Sequence, residues 1–174
     1  MTAAGDSAVR RAVSVEGVRL RFAASHMATL GEDLEPLHGH NYAVRCRVEG
    51  ALTADGWVID FSVLKSAVRE ACGGLDHRFL LQRESRLIEI VEEAAGWTIR
   101  FGTREYRFPA ADVVALPIEN TTAELLAEWI CGRVTEALAA GGHDQLARIA
   151  VEVEEMPGQG GAYERALPPG WATR

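Results

Sequence analysis

Cysteine is scarce in this chain, and no two cysteines lie close in sequence. The three present are Cys46, Cys72 and Cys131, without a C-x-x-C pair. This spacing argues against a disulfide framework and a cysteine-based zinc or redox motif, and it favours a cytoplasmic protein with reduced thiols. Cys46 falls in an alternating segment and Cys131 in a helical one. Both are predicted to be small core residues rather than nucleophiles.

Positive charge and long apolar runs are also lacking. Lys and Arg number 18 against 25 Asp and Glu, which gives a net charge of −7. This balance argues against nonspecific nucleic-acid binding. No apolar run is long enough to cross a bilayer, and residues 1–15 lack the apolar centre of a signal peptide. We therefore expect a cytoplasmic protein with no nucleic-acid partner and no membrane association.

What is present suits one globular domain. The chain has 174 residues and 48% hydrophobic residues, enough for a proper core. We expect a flexible N-terminal tail at residues 1–11 and a single folded domain at residues 12–166. The Pro-containing residues 167–174 are predicted to form a C-terminal tail.

Alternating apolar residues predict several strands. The first covers residues 12–24 and the second residues 41–48, whose other face is polar. A short strand is expected at residues 57–59 and a last one at residues 147–154, followed by a turn over residues 157–161. Residues 75–81 read as a loop or a short extended piece.

Two segments carry apolar residues at helical spacing. The first follows Asp60 and ends at Gly73-Gly74, and the second follows Thr121 or Thr122 and ends at Gly141-Gly142. Between them, a short helix is predicted at residues 87–94 and a hairpin at residues 97–108. Strands with segregated helices indicate an α+β fold. Its open sheet edges would be covered by assembly into an oligomeric barrel.

Three of the five histidines lie close together in sequence, namely His26, His38 and His40. On a strand, His38 and His40 face the same side, and His26 lies on the predicted preceding strand. Three neutral imidazoles around Zn²⁺ with an open fourth position are typical of a catalytic zinc site. The spacing alone is equally compatible with a turn that exposes its histidines.

Six short motifs, taken in order, resemble the 6-pyruvoyl-tetrahydropterin synthase and 6-carboxy-tetrahydropterin synthase family. They are Phe22-Ala23-Ala24-Ser25-His26, Leu37-His38-Gly39-His40-Asn41-Tyr42, Gly56-Trp57-Val58-Ile59-Asp60-Phe61, Leu75-Asp76-His77, Asn120-Thr121-Thr122-Ala123-Glu124 and Val153-Glu154-Glu155. The match runs from about residue 13 to about residue 163 and skips residues 82–118, which read as an insertion.

The resemblance implies a tunnelling fold (T-fold), in which a four-stranded antiparallel sheet carries two helices on one face. It also implies a homo-oligomer, a trimer or a hexamer, whose subunits form a barrel with active sites between them. The implied substrate is 7,8-dihydroneopterin triphosphate, and His26, His38 and His40 would bind Zn²⁺. Glu155 would anchor the pterin ring through two N–H donors, and Thr122 would contact the ring. Asp76 and His77 would form a proton relay.

The chain departs from the family at the catalytic cysteine, which usually lies a few residues before the H-G-H motif. Leu34 stands in its place, and Glu35 follows it. This resembles a subgroup that uses a glutamate base and cleaves the side chain to 6-hydroxymethyl-7,8-dihydropterin, a folate precursor. Glu35 is therefore the predicted general base, with Glu32 and Asp33 as competitors. Arg19, Arg21, Arg45 and Arg47 are candidates for phosphate contact or solvated exterior.

Two other functions stay open at this point. One is 6-carboxy-tetrahydropterin synthesis for queuosine and 7-deazaguanine compounds, or formation of the 6-pyruvoyl product. The other is a catalytically impaired protein that binds zinc and pterin. The absence of the cysteine argues against synthesis of the 6-carboxy or 6-pyruvoyl product, and it is the reason for considering an impaired binding protein.

Overall fold

The computed structural model describes residues 11–173 of the chain. The strands are β1 (Arg11–Val15), β2 (Arg21–His26), β3 (Thr29–Leu30), β4 (Asp33–Leu34), β5 (His38–Gly50), β6 (Arg78–Gln82), β7 (Glu89–Glu93), β8 (Gly96–Phe101), β9 (Arg104–Pro109), β10 (Val113–Leu116), β11 (Leu146–Met156) and β12 (Gln159–Ala166). The helices are α1 (Phe61–Gly73) and α2 (Ala123–Ala140), with short 3₁₀ turns at Ala110–Asp112 and Trp171–Thr173.

The main sheet has the strand order β10-β6-β2-β5-β11-β12, and β1 pairs with the far half of β5. β1 and β2 thus follow one another along β5, because the turn after β1 interrupts the segment predicted as one strand. Together with β11 and β12 they form the four-stranded antiparallel sheet that was predicted. β6 and β10 extend this sheet through parallel pairing. β6 falls largely in residues 75–81, which read as a loop or a short extended piece, but its place in the sheet and strand β10 were not predicted.

Both helices cover one face of this sheet, and the α+β class is confirmed. Asp60 caps α1 by accepting from the Ser62 N–H, and Thr122 caps α2 by accepting from the Leu125 N–H. Every second residue of β5 is buried beneath the helices: Tyr42, Val44, Cys46 and Val48. The core is therefore the layer between the sheet and the helix pair.

All three cysteines are buried and unpaired, as predicted. Among the described residues, no helix is long and apolar enough to cross a membrane.

Two local predictions were wrong. Residues 87–94 do not form a helix, because Glu89–Glu93 pairs as strand β7 with β8, and Ile90 lies opposite Ile99. The predicted hairpin is confirmed: β8 and β9 form it, and β7 extends it to a three-stranded sheet. Residues 57–59 do not form a strand, and Val58 and Ile59 lie in a bend, although both are buried.

The turn predicted at residues 157–161 ends at Gly158, after which β12 begins. Its glycines suggested a loop, but they mark close packing. A Cβ on Gly160 would lie 2.6 Å from the Val153 carbonyl oxygen, and one on Gly161 would lie 2.5 Å from the Glu124 nitrogen. Glycine is needed here because the neighbouring backbones leave no room for a side chain.

The predicted tails have different outcomes. All but one residue of the N-terminal tail, residues 1–11, lies outside the described part, and Arg11 begins β1. The C-terminal segment packs against the core through the buried Leu167 and Trp171. The Trp171 indole also donates a hydrogen bond to the Leu146 carbonyl.

The pairing of β2 with β5 depends on Gly39, which lies opposite Ser25. A Cβ on Gly39 would stand 2.7 Å from the Ala24 carbonyl oxygen, closer than real side chains approach backbone. Gly132, in the middle of α2, has nothing within 4 Å of the equivalent point.

The same substitution should therefore have opposite effects at these two glycines. Gly39→Ala is expected to lower the free energy of unfolding by about 1–3 kcal/mol, because β2 must move away from β5. Gly132→Ala should raise it by about 0.5–1 kcal/mol through helix propensity. Urea unfolding measures both. An unchanged Gly39→Ala midpoint would contradict the close approach of the two strands.

Candidate metal centre and its surroundings

His26, His38 and His40 come together because β2 and β5 are antiparallel neighbours. His26 pairs directly with His38, and His40 lies two residues further along the same face of β5. One ring nitrogen from each histidine lies within 4.8 Å of the others, and Nε2 of His26 is 3.1 Å from Nε2 of His38. The three imidazoles thus surround one small volume.

The hydrogen bonds behind two of the rings fix their tautomers. Nδ1 of His26 lies 3.0 Å from the Thr121 carbonyl oxygen, and Nδ1 of His38 lies 2.8 Å from the Pro36 carbonyl oxygen. A carbonyl only accepts, so each Nδ1 carries the proton and donates it. In the neutral rings, both Nε2 atoms then present lone pairs to the same point. Two lone pairs in contact repel unless a cation or a proton lies between them.

A buried polar chain holds His26 from behind. The Thr121 hydroxyl, 3.1 Å from Nδ1 of His26, donates to Oε1 of Gln82. The Gln82 amide donates in turn to the Met27 carbonyl. Thr121 and Gln82 are almost fully buried, so water does not compete for these bonds. Sequence analysis missed Gln82, which no motif marked.

His26 is held neutral. Its pKa is lowered from 6.5 to about 4, mainly by burial and also by the charge that His38 and His40 would carry, against a smaller opposing effect of the Thr121 carbonyl. A neutral imidazole is the form that binds metal.

Tyr42 lies beneath the cluster, with its ring centroid 5.4 Å from that of His40 and 6.0 Å from that of His26. Burial raises the pKa of its phenol, and the carboxylates of Glu155 and Glu35 raise it further. Its hydroxyl is buried and has no hydrogen-bond partner within the described residues. The sequence indicated only an inward-facing strand residue at this position.

Glu35 is the acidic residue of its loop that reaches the histidines. Its Oε2 lies 3.8 Å from Nε2 of His38, and its N–H donates to the Ala28 carbonyl. Glu32 and Asp33, its two competitors, are exposed. Leu34, which the resemblance aligns with the family's cysteine, is only 1% exposed and points into a second hydrophobic cluster.

Asp76 and His77 form a turn that is fixed to β2. Asp76 accepts the Ala23 N–H through Oδ1, and its Oδ2 lies 2.9 Å from Nδ1 of His77. The Ala23 hydrogen bond is the main cause of the lowered pKa of Asp76. His77 adopts φ +57°, a left-handed conformation that costs a non-glycine residue some strain and is often found at functional sites. His77 and His40 line the same cleft, of about 560 Å³.

The other predicted residues lie at distinctive backbone positions. Thr122 caps α2, directly after Thr121. Glu155 is half-buried on β11, where the pairing with β12 shifts between Glu154 and Met156. Such a bulge re-aims a side chain relative to its neighbours.

Three of the four arginines suggested for phosphate contact lie on the other side of the sheet, and the fourth, Arg19, is exposed in the turn before β2. Arg45 and Arg47 alternate with the buried residues of β5, so they face away from His38 and His40. Arg45 pairs with Glu16 at 3.4 Å, and Arg47 pairs with Glu49 at 2.8 Å. Arg21 likewise alternates with the buried residues of β2. Arg21, Arg45 and Arg47 therefore belong to the polar face of the sheet.

Comparison with known proteins identifies relatives of the chain. The chain is 31% identical over 149 residues to a protein of Methanocaldococcus jannaschii assigned as a 6-carboxy-5,6,7,8-tetrahydropterin synthase, covering 85% of this chain and 91% of the relative. A shorter match, 40% identical over 62 residues, covers 36% of this chain and 53% of the dihydroneopterin monophosphate aldolase of Pyrococcus furiosus.

A solved structure has nearly the same fold. It is a Plasmodium vivax 6-pyruvoyltetrahydropterin synthase in which alanine replaces a catalytic glutamate. The TM-score is 0.87 at 31% identity, over 92% of this chain and all of the other. The family model described as 6-pyruvoyl tetrahydropterin synthase matches residues 17–166. With the histidine cluster and the T-fold sheet, these matches establish that the chain belongs to the 6-pyruvoyl tetrahydropterin synthase family.

Proposed function

We propose that the chain is a zinc-dependent lyase acting on a phosphorylated 7,8-dihydroneopterin. His26, His38 and His40 would hold Zn²⁺, and the observation that carries this is the pair of Nε2 lone pairs directed at one point. Three neutral nitrogens suit zinc and leave a position open. Bound there, zinc supplies Lewis acidity that lowers the pKa of a substrate hydroxyl. The buried Tyr42 hydroxyl also suits a site that is completed by a ligand.

Glu35 is proposed as the general base that selects carbon–carbon cleavage. Its carboxylate would accept the proton of the second side-chain hydroxyl, the bond between the first and second side-chain carbons would break, and the outer fragment would leave as an aldehyde. The electron pair passes into the pterin ring, and the carbon next to the ring then regains a proton. The product is 6-hydroxymethyl-7,8-dihydropterin. The carboxylate lies beside His38, in reach of a substrate held at the histidines.

Two relatives support this choice of reaction. The Plasmodium vivax enzyme has a catalytic glutamate, and the Pyrococcus furiosus protein is named an aldolase of dihydroneopterin monophosphate. In this chain all three cysteines are buried, and burial raises the pKa of Cys72 to about 12. A protonated, enclosed thiol is a poor base, whereas Glu35 is half-buried and lies beside the histidines.

The remaining predicted residues have complementary roles in this proposal. His77, oriented and supported by Asp76 at 2.9 Å, would return a proton to carbon in the cleft that it shares with His40. Glu155 would accept two N–H donors of the pterin ring, because a carboxylate matches that edge. Thr122 would contact the same ring from the start of α2.

A second candidate is 6-carboxy-tetrahydropterin synthesis, the activity for which the Methanocaldococcus jannaschii relative is named. It uses the same metal and pterin sites and differs in the proton that is removed. Product analysis separates the two functions. Bound zinc and pterin without any product would indicate a binding protein instead.

We also propose a homo-oligomer, a trimer or a hexamer, formed through the strands at the ends of the main sheet. Within the described part of the chain, β12 pairs only with β11, and β10 pairs only with β6. Unpaired strand edges are commonly covered by another chain.

Glu35→Gln is expected to abolish most product formation. Loss of a general base typically lowers kcat by about 10²–10⁴-fold. The assay follows 6-hydroxymethyl-7,8-dihydropterin by chromatography, with zinc-loaded protein and either 7,8-dihydroneopterin triphosphate or the monophosphate. Glu32→Gln, three residues earlier and exposed, is the matched control and should keep full activity. Full turnover by Glu35→Gln would rule out this base.

The metal-free protein should lose stability between about pH 6.5 and pH 4. The pKa of His26 is about 4 in the folded chain against an ordinary 6.5, so the unfolded chain binds more protons in this window. Stability therefore falls as the pH falls, by about 3 kcal/mol in total. Thermal unfolding of chelator-treated protein across this range measures the slope.

Two additions make this measurement specific to the proposed site. His26→Gln should remove this part of the slope. Zinc at pH 7 should raise the melting temperature of the wild type but not of His38→Ala. A wild type that retains no zinc and shows no shift would contradict the metal site.

A further inference from the structure

The inserted sheet, β7–β9, packs directly around the loop that carries Glu35. A second hydrophobic cluster joins the loop, strand β6 and the inserted sheet; its buried members are Met27, Leu34, Phe79, Leu81, Ile88, Trp97 and Ile99. Phe108 of β9 stacks on Phe79, with ring centroids 4.2 Å apart. Leu34 therefore anchors the loop in the core of the inserted sheet.

Arg104, at the start of β9, reaches from this sheet to the backbone of the same loop. Its Nη2 donates to the Leu34 carbonyl at 2.6 Å, and its Nη1 donates to the Glu35 carbonyl at 3.5 Å. The guanidinium also lies 3.6 Å from Oδ1 of Asp33 and 4.9 Å from the ring centroid of Phe101. One side chain thus bridges three successive loop residues to the inserted sheet.

We propose that Arg104 is a positioning residue for Glu35, and that the inserted sheet serves to hold the catalytic loop against the histidines. This inference rests on the proposed role of Glu35 as the base. The planar guanidinium offers several donors in a fixed fork, which suits two adjacent carbonyls better than a lysine would.

Besides Arg104, the loop is restrained by the pairing of β3 with β4, in which Leu34 lies opposite Thr29 and Asp33 opposite Leu30. The Glu35 N–H is bonded to Ala28, and the Leu34 side chain is packed, but both carbonyls are turned toward Arg104. Without the guanidinium, the two carbonyls would turn toward water. The Glu35 carboxylate would then move as well, because the Cα of Glu35 lies between these carbonyls. A displacement of about 1 Å at a catalytic group is enough to lower the rate about 10²-fold.

Arg107 provides a matched control. It lies on the same strand but three residues away, so its side chain leaves from the opposite face of the pleat. There it donates to Glu105, an exposed partner within the inserted sheet. Loss of Arg107 removes a guanidinium and an ion pair from β9 without touching the loop.

The test is a double-mutant cycle on the zinc-loaded enzyme, with Arg104→Ala, Glu35→Gln and both together. Arg104→Ala is expected to lower kcat about 10- to 100-fold with little change in KM. In the Glu35→Gln background it should have no further effect, because the base that it positions is already lost. Arg104→Lys should be intermediate, and Arg107→Ala should match the wild type.

Hydrogen exchange of the peptide covering residues 28–37 gives a readout that needs no turnover. Arg104→Ala should speed exchange of this peptide while Arg107→Ala leaves it unchanged. Zinc content and the melting temperature establish that each variant is folded, and Arg104→Lys serves if the alanine variant is not.

The outcomes distinguish the two proposals. Wild-type turnover by Glu35→Gln would overturn the proposed base. Hydrogen exchange of the peptide covering residues 28–37 would still show whether Arg104 restrains the loop. A Glu35→Gln defect with normal kcat in Arg104→Ala would overturn the positioning role alone. Equal losses from Arg104→Ala in both backgrounds, or unchanged exchange, would also overturn it.

Discussion

The antiparallel pairing of β2 with β5 is the constraint on which the candidate site depends. It places His26 opposite His38 and brings His40 to the same face. Backbone carbonyls then fix two of the rings so that their lone pairs converge. The convergence is unfavourable by itself, so the sheet, the helices and the buried chain through Thr121 and Gln82 must hold it in place. The stability of the fold thus offsets the repulsion between the converging lone pairs and holds the histidines ready for a ligand.

Much of this could be predicted from the sequence, because it depends on local patterns. The period of two in β5 and the spacing of His38 and His40 gave the shared face, and the caps at Asp60 and Thr122 gave the helix starts. The order of motifs gave the family. These features depend on a few neighbouring residues, for which side-chain direction follows directly from secondary structure.

The parts that escaped prediction depend on contacts between distant segments. Residues 87–94 have spacing that suits a helix, yet Ile90 finds Ile99 across a strand pair. Gln82 and Thr121 are 39 positions apart, and Arg104 is 70 positions from Leu34. No local pattern encodes such partners. The glycines of β12 could not be interpreted from the sequence for the same reason. They must be small because the fold brings other backbone segments close to them.

The burial of Leu34 limits the chemistry that a substitution at this position could supply. A thiol at this position would lie inside an apolar cluster at 1% exposure, where the uncharged form is strongly favoured. Exchanging Leu34 for cysteine would therefore not supply a thiolate beside the histidines, because the surrounding packing would keep the sulfur protonated and enclosed. A reactive thiol here would require the loop and the inserted sheet to change together, so the limit is one of architecture.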